Sequence, residues 1–127
     1  MNENMLKDLS SNPLVTIGSH TKNHYDLTTI NSKTLENELN YSKLYLEDII
    51  CKKVDMLSYP YGKYNRMVKE KVLKAGYKLA FTSNFNKNFE KQDKICLARN
   101  EIWNTDIVKF FNEKLNGSWD WLQYRSL

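Results

Sequence analysis

The chain has 127 residues, 41% of them hydrophobic and 27% charged, values that fit one globular domain and exclude a disordered, collagen-like or coiled-coil chain. The 19 Lys and Arg against 15 Asp and Glu leave a net charge of +4. The lysines are scattered and interleaved with glutamate, which describes a solvated surface and no nucleic-acid interface. No apolar run approaches the ~20 residues of a membrane span. The opening MNENMLKDLSS lacks the basic start and apolar stretch of a secretory signal, so a cytoplasmic location is expected.

In chain order, Leu14 to Ile17 is a β-branched run ended by Gly18 and predicts a buried strand. Ser32 is a candidate N-cap for a helix from Lys33 to Ile50, with Leu35, Leu39, Leu46 and Ile49/Ile50 on one face. Val54 to Tyr59 predicts a second strand, stopped by Pro60 and turned at Gly62. Asn65 then caps a helix whose Val68, Val72 and Ala75 face inward, and Gly76 sits where a left-handed C-cap belongs. Lys78 to Thr82 and Ile95 to Ala98 predict strands three and four. Asn104 or Thr105 caps a last helix carrying Ile107, Phe110, Phe111 and Leu115, closed by Gly117. The aromatic tail with Trp119, Trp121 and Tyr124 is expected to fold back on the body. Cys51 and Cys96 form no CxxC pair and read as small buried residues. The order β-α-β-α-β-β-α predicts about four parallel strands with three main helices, an α/β sheet or a piece of a (β/α) barrel, in a single domain over 1–127.

Both histidines of the chain lie in Gly18-Ser19-His20-Thr21-Lys22-Asn23-His24. An i, i+4 pair shares one face if the segment turns helically, which lets His20 and His24 reach one metal ion, with Zn²⁺ the natural occupant. Two loop histidines with no shared ligand are the plainer alternative. Ser58-Tyr59-Pro60-Tyr61-Gly62 is either a strand-ending turn with packed aromatics or a turn that frees the Tyr61 N–H to face a ligand. Arg99 and Glu101 place a cation and a carboxylate after the fourth strand, where a solvated ion pair is the default. All three segments follow predicted strands at their C-terminal ends, the rim on which parallel α/β folds assemble active sites.

On VTIGSHTKNHYDLT, LENELNYSKLYLED, MLSYPYGKYN, VLKAGYKLAFTS and ICLARNEI, the chain resembles the polysaccharide deacetylase family of metal-dependent carbohydrate esterases from about Leu14 to Ile102. The histidine segment is similar to that family's His-Ser/Thr-x-x-His motif, and SYPYG to its proline-aromatic-glycine motif. The resemblance implies a distorted (β/α) barrel, a metal held by His20, His24 and an aspartate, and a water activated by a second aspartate as base. It implies Tyr61 as the backbone donor to the oxyanion and, more loosely, Arg99 as the residue orienting the base. The substrate implied is an acetylated oligosaccharide or polysaccharide.

The family's opening strand carries an Asp-Asp pair, and this sequence has none. The chain therefore reads as the C-terminal portion of a deacetylase domain, weakly active or inactive alone. Self-association or a partner chain supplying the missing strands is expected. Glu101 and then Asp26 are the carboxylates best placed to substitute as base. The alternative function is a non-catalytic carbohydrate-binding or interaction remnant of the same fold.

Overall fold

The computed structural model describes residues 1–120. Two helices precede the first strand: α1 (Glu3–Ser11) and α2 (Ser32–Ile50). They are followed by β1 (Met56–Ser58), a short 3₁₀ turn (Pro60–Gly62), α3 (Arg66–Lys74), β2 (Leu79–Phe81) and α4 (Val108–Leu115). The fold is α/β, with four helices among the described residues where three were expected.

Helix α1 is the addition. Its start is written in Asn2, whose Oδ1 accepts from the Met5 N–H at 2.9 Å, and Leu6 is its buried apolar contact. Helix α2 begins one residue before the expected point, capped by Asn31 through the Thr34 N–H at 2.9 Å. Its Leu35, Leu39, Ile49 and Ile50 are buried as their spacing requires, and it packs against both α1 and α3. Asn65 caps α3 through the Val68 N–H, and Gly76 takes φ +81 just past its end.

β1 and β2 pair in parallel, Met56 beside Leu79, Leu57 beside Ala80 and Ser58 beside Phe81. Single parallel bridges extend this sheet on both sides, Ser19 beside Leu57 and Leu97 beside Phe81. The sheet thus has two strands where about four were expected, with the first and fourth segments reduced to single bridges at Ser19, just past the expected strand, and at Leu97. Residues 14 to 17 form no strand: Leu14 is 93% exposed, and the backbone hydrogen-bonds to β1 only at Ser19. Ile95 to Ala98 is likewise a bridge flanked by the buried side chains of Ile95 and Ala98. A β-branched run makes a strand only where a neighbour accepts its hydrogen bonds.

The core lies between the sheet and α2/α3. Leu27, Leu35, Leu39, Val54, Leu57, Val68 and Val72 are fully buried. Tyr59 is buried too, and its hydroxyl donates to the Ile95 carbonyl at 3.0 Å, tying β1 to the fourth segment. Burial pushes the Tyr59 phenol well above its ordinary range. Two further expectations are corrected. Cys51 is exposed, at the left-handed C-cap of α2, and Cys96 is only half-buried. The apolar stripe of α4 is exposed, and the buried residue of that helix is Lys114, which donates to Asp106 at 2.5 Å and to the Glu101 carbonyl at 2.9 Å. Trp119 stands edge-on to Phe110, while Trp121 and Tyr124 lie outside the described residues. No helix among the described residues is long and apolar enough to cross a membrane.

Ion pairs bind the surface together and set its response to acid. The ammonium of Lys63, 2.8 Å from Asp26, and the Thr28 hydroxyl and N–H hold the Asp26 carboxyl down at about 2. Lys78 lowers Asp55, Lys69 lowers Asp93, Lys114 lowers Asp106 and Lys71 lowers Glu36. A carboxylate depressed by folding contributes stability above its unfolded value, near 4, and loses it as pH falls through the folded value. The urea midpoint is therefore expected to be level above pH ~5 and to fall between roughly pH 4 and 2. A midpoint unchanged from pH 6 to 2.5 would contradict these pairs.

Candidate metal and active site

The site is built on the C-terminal end of β1. Ser19 is pinned there by both backbone groups: its N–H donates to Met56 at 2.8 Å and its carbonyl accepts from Ser58 at 2.9 Å. His20 follows at once, and its Nδ1 lies 2.8 Å from the Ser58 carbonyl oxygen. A carbonyl only accepts, so Nδ1 carries a proton, and in the neutral ring Nε2 is the nitrogen with the lone pair. His24 Nε2 is 3.1 Å from His20 Nε2. Two imidazoles on one tetrahedral Zn²⁺ at about 2.0–2.1 Å each would place their nitrogens about 3.3 Å apart, so the pair fits as half of a metal site.

The expected helical turn does not bring them together. Thr21 (φ 65) and His24 (φ 56) are both left-handed, and these two bends fold the segment so that the rings converge. Non-glycine residues bear a cost in that region, so the surroundings must hold them there. The Thr21 N–H donates to Ser19 Oγ and the His24 N–H to Thr21 Oγ1, each at 3.2 Å.

Tyr61 reaches the pair from the turn after β1. Its ring stands edge-on to His24 with centroids 4.7 Å apart. Tyr61 has φ 58 and Gly62 φ 67, two left-handed residues in succession, and the Tyr61 N–H meets no acceptor among the described residues. Arg99 joins from the fourth segment, its Nη1 donating to Ser58 Oγ at 2.9 Å. Ser58 thus serves His20 with its carbonyl and Arg99 with its hydroxyl. Beside His20 opens a cavity of about 450 Å³, walled by Tyr41 and Tyr45, whose rings stack at 6.0 Å.

The carboxylates are placed differently. The exposed Glu101 side chain contacts neither histidine, and that residue's link to the fold is its backbone carbonyl. Asp26 is engaged by Lys63 and Thr28. Among the described residues no group of three His, Cys, Asp or Glu side chains gathers for a metal.

Comparison with known proteins decides the family. The family model described as polysaccharide deacetylase matches residues 1–80. The chain belongs to the polysaccharide deacetylase family. Among its relatives, YxkH of Bacillus subtilis (strain 168), assigned by name to the polysaccharide deacetylases, is 25% identical over 83 residues, 65% of this chain and 29% of YxkH. BC0361, a polysaccharide deacetylase from Bacillus cereus, superposes with a TM-score of 0.80 at 27% identity, over 91% of this chain and 36% of BC0361. The Streptococcus pyogenes deacetylase PplD, solved with acetate, shares the fold with a TM-score of 0.83 at 22% identity, over 90% of this chain and 50% of PplD. The chain therefore spans between 29% and 50% of the length of these relatives.

Two residues of the site were missed in the sequence. Ser58 acts through its carbonyl, which residue type does not reveal. Glu38 is only 2% exposed and takes three N–H donors from Lys22 and Asn23. It did leave a signal, as a carboxylate on the inward stripe of α2 with Leu35, Leu39 and Ser42.

Proposed function

We propose that this chain carries the histidine half of a metal-dependent deacetylase site that hydrolyses acetyl groups on N-acetylated sugars or glycans. The observation that carries the reading is the 3.1 Å approach of the His20 and His24 Nε2 atoms, with the His20 tautomer set by the Ser58 carbonyl. His20 and His24 would hold the ion, and a bound Zn²⁺ supplies Lewis-acid polarisation and a lowered pKa for water. The Tyr61 N–H, turned out by its left-handed backbone and free of an internal acceptor, donates to the oxyanion of the tetrahedral intermediate. Arg99 stands one hydrogen bond from Ser58, within the same cluster, where it orients the base. Hydrolysis of an N-acetyl group consumes one water and yields an amine and acetate.

Two imidazoles leave a four-coordinate site half filled, and no free carboxylate stands beside them among the described residues. In this reading the four parallel segments are the C-terminal arc of a (β/α) barrel, and the remaining ligand and the base come from another segment or a partner chain. Neither Gly18 nor His20 forms a backbone hydrogen bond among the described residues, so that side of the arc is available for strand pairing. The incomplete donor set also supports the second reading, a carbohydrate-binding or interaction remnant without chemistry.

Calorimetric titration with Zn²⁺ tests the pair. Weak, single-site binding is expected, and it should vanish in both His20→Ala and His24→Ala. Identical binding by wild type and both variants would remove the assignment.

A further inference from the structure

We propose that Glu38 is the positioning residue of the histidine pair: its buried carboxylate ties the loop of residues 21–24 to α2 and so fixes where the His24 ring meets His20. This rests on the reading of the two histidines as metal ligands and deepens it by one residue.

Glu38 sits at a place on α2 that packing alone would give to an apolar side chain, between Leu35, Leu39 and Ser42 on the buried stripe. A carboxylate there is costly unless its oxygens are used. They are used on the loop. Oε2 accepts the backbone N–H groups of both Lys22, at 3.0 Å, and Asn23, at 2.7 Å, and Oε1 accepts from Asn23 Nδ2 at 2.6 Å. Those two residues are the ones between the left-handed Thr21 and His24. Strained backbone persists only where its surroundings over-determine it, and the other backbone hydrogen bonds of this loop are two of 3.2 Å, from the Thr21 and His24 N–H groups. The same turn of α2 also reaches the residue before His20: Ser42 Oγ donates to the Glu38 carbonyl at 2.7 Å and lies 2.9 Å from Ser19 Oγ. Both histidines are thus referenced to one turn of one helix.

The test uses Glu38→Gln, which keeps the side-chain shape but leaves one acceptor oxygen for three donors. Leu35→Ala, one turn earlier on the same stripe, is the control for stability alone. Two readouts need no metal: hydrogen-exchange protection of the Lys22 and Asn23 amides, and the NMR cross-relaxation between the His24 and Tyr61 rings. The third is Zn²⁺ affinity by titration. In Glu38→Gln the exchange protection and the ring contact are expected to be lost in the loop while amides of α3 and β2 stay protected, and Zn²⁺ affinity is expected to fall by roughly 10–100-fold. Leu35→Ala should lower the melting temperature and leave ring contact and affinity as in wild type. A Glu38→Gln protein that keeps the ring contact and the affinity overturns the proposal. So does a Leu35→Ala protein that loses affinity to the same degree while folded. Should Glu38→Gln fail to fold, Asn23→Ala decides from the exposed side of the same contact: a severalfold weaker affinity and a reduced ring contact support the proposal, and no change refutes it. If Zn²⁺ binding by wild type is indifferent to His20→Ala, the metal reading fails, whereas the two metal-free readouts still decide the role of Glu38.

Discussion

Gly62→Ala is expected to destabilise the protein by about 2–5 kcal/mol, the sum of a left-handed penalty of roughly 1–2 kcal/mol and an overpacking cost of about 1–3 kcal/mol. Gly62 has φ +67, and a Cβ built there would lie 2.6 Å from the Ser83 backbone nitrogen and 2.7 Å from its Cβ. Ser83 lies two residues past the end of β2, next to Thr82, whose N–H is tied to the Leu97 carbonyl, so its main chain gives way only by disturbing the end of the strand beside β1. The melting temperature is expected to fall by roughly 10 °C or more. The turn also places Tyr61 against His24, so the NMR signals of those two rings should shift with it. Loss of less than about 0.5 kcal/mol, the range of ordinary surface substitutions, would show that the turn can relax.

The second large effect concerns turnover. A positioned general base contributes about 10²–10⁴-fold to proton transfer in the transition state. The carboxylates within the described residues are committed elsewhere or stand apart: Asp26 to Lys63 and Thr28, Glu101 to solvent. Acetate release from chitooligosaccharides, or from a simple acetyl ester, is therefore expected to be near background for the 127-residue chain with excess Zn²⁺. It is expected to rise at least 10²-fold when a segment bearing paired aspartates is supplied in cis or in trans. Turnover by the chain alone that disappears in Glu101→Gln would show instead that Glu101 swings in as the base.

Much of this architecture was legible because single residues carry it. Asn65 and Gly76 bracket α3, Leu35, Leu39 and Ile49/Ile50 mark the inward face of α2, and Pro60-Tyr61-Gly62 marks the end of β1. The outer strands were over-read, because Val15, Thr16 and Ile17 have β-branched side chains but no partner to pair with among the described residues. Helix α4 was misjudged for a related reason. Ile107, Phe110, Phe111 and Leu115 have inward-facing periodicity, yet the tie to the body is the polar grip of Lys114 on Asp106 and Glu101. At the site, the i, i+4 spacing of the histidines anticipated the convergence of the two rings, but through a helical turn that the structure does not have. Left-handed backbone at Thr21 and His24 has no glycine to announce it. The Glu38 clamp that accompanies it is a long-range contact, visible only as a charge out of place on a helix.

The Ser58 carbonyl that holds the His20 proton on Nδ1 has one more consequence. A peptide oxygen is carried by every amino acid, so no replacement of the residue 58 side chain deletes it, although replacement does take away the hydroxyl that Arg99 uses. The choice of which ring nitrogen of His20 carries the proton is inherited from the placement of a strand and not from the identity of any residue. It can therefore persist through complete sequence drift at that position, and aligned descendants would show no mark of it.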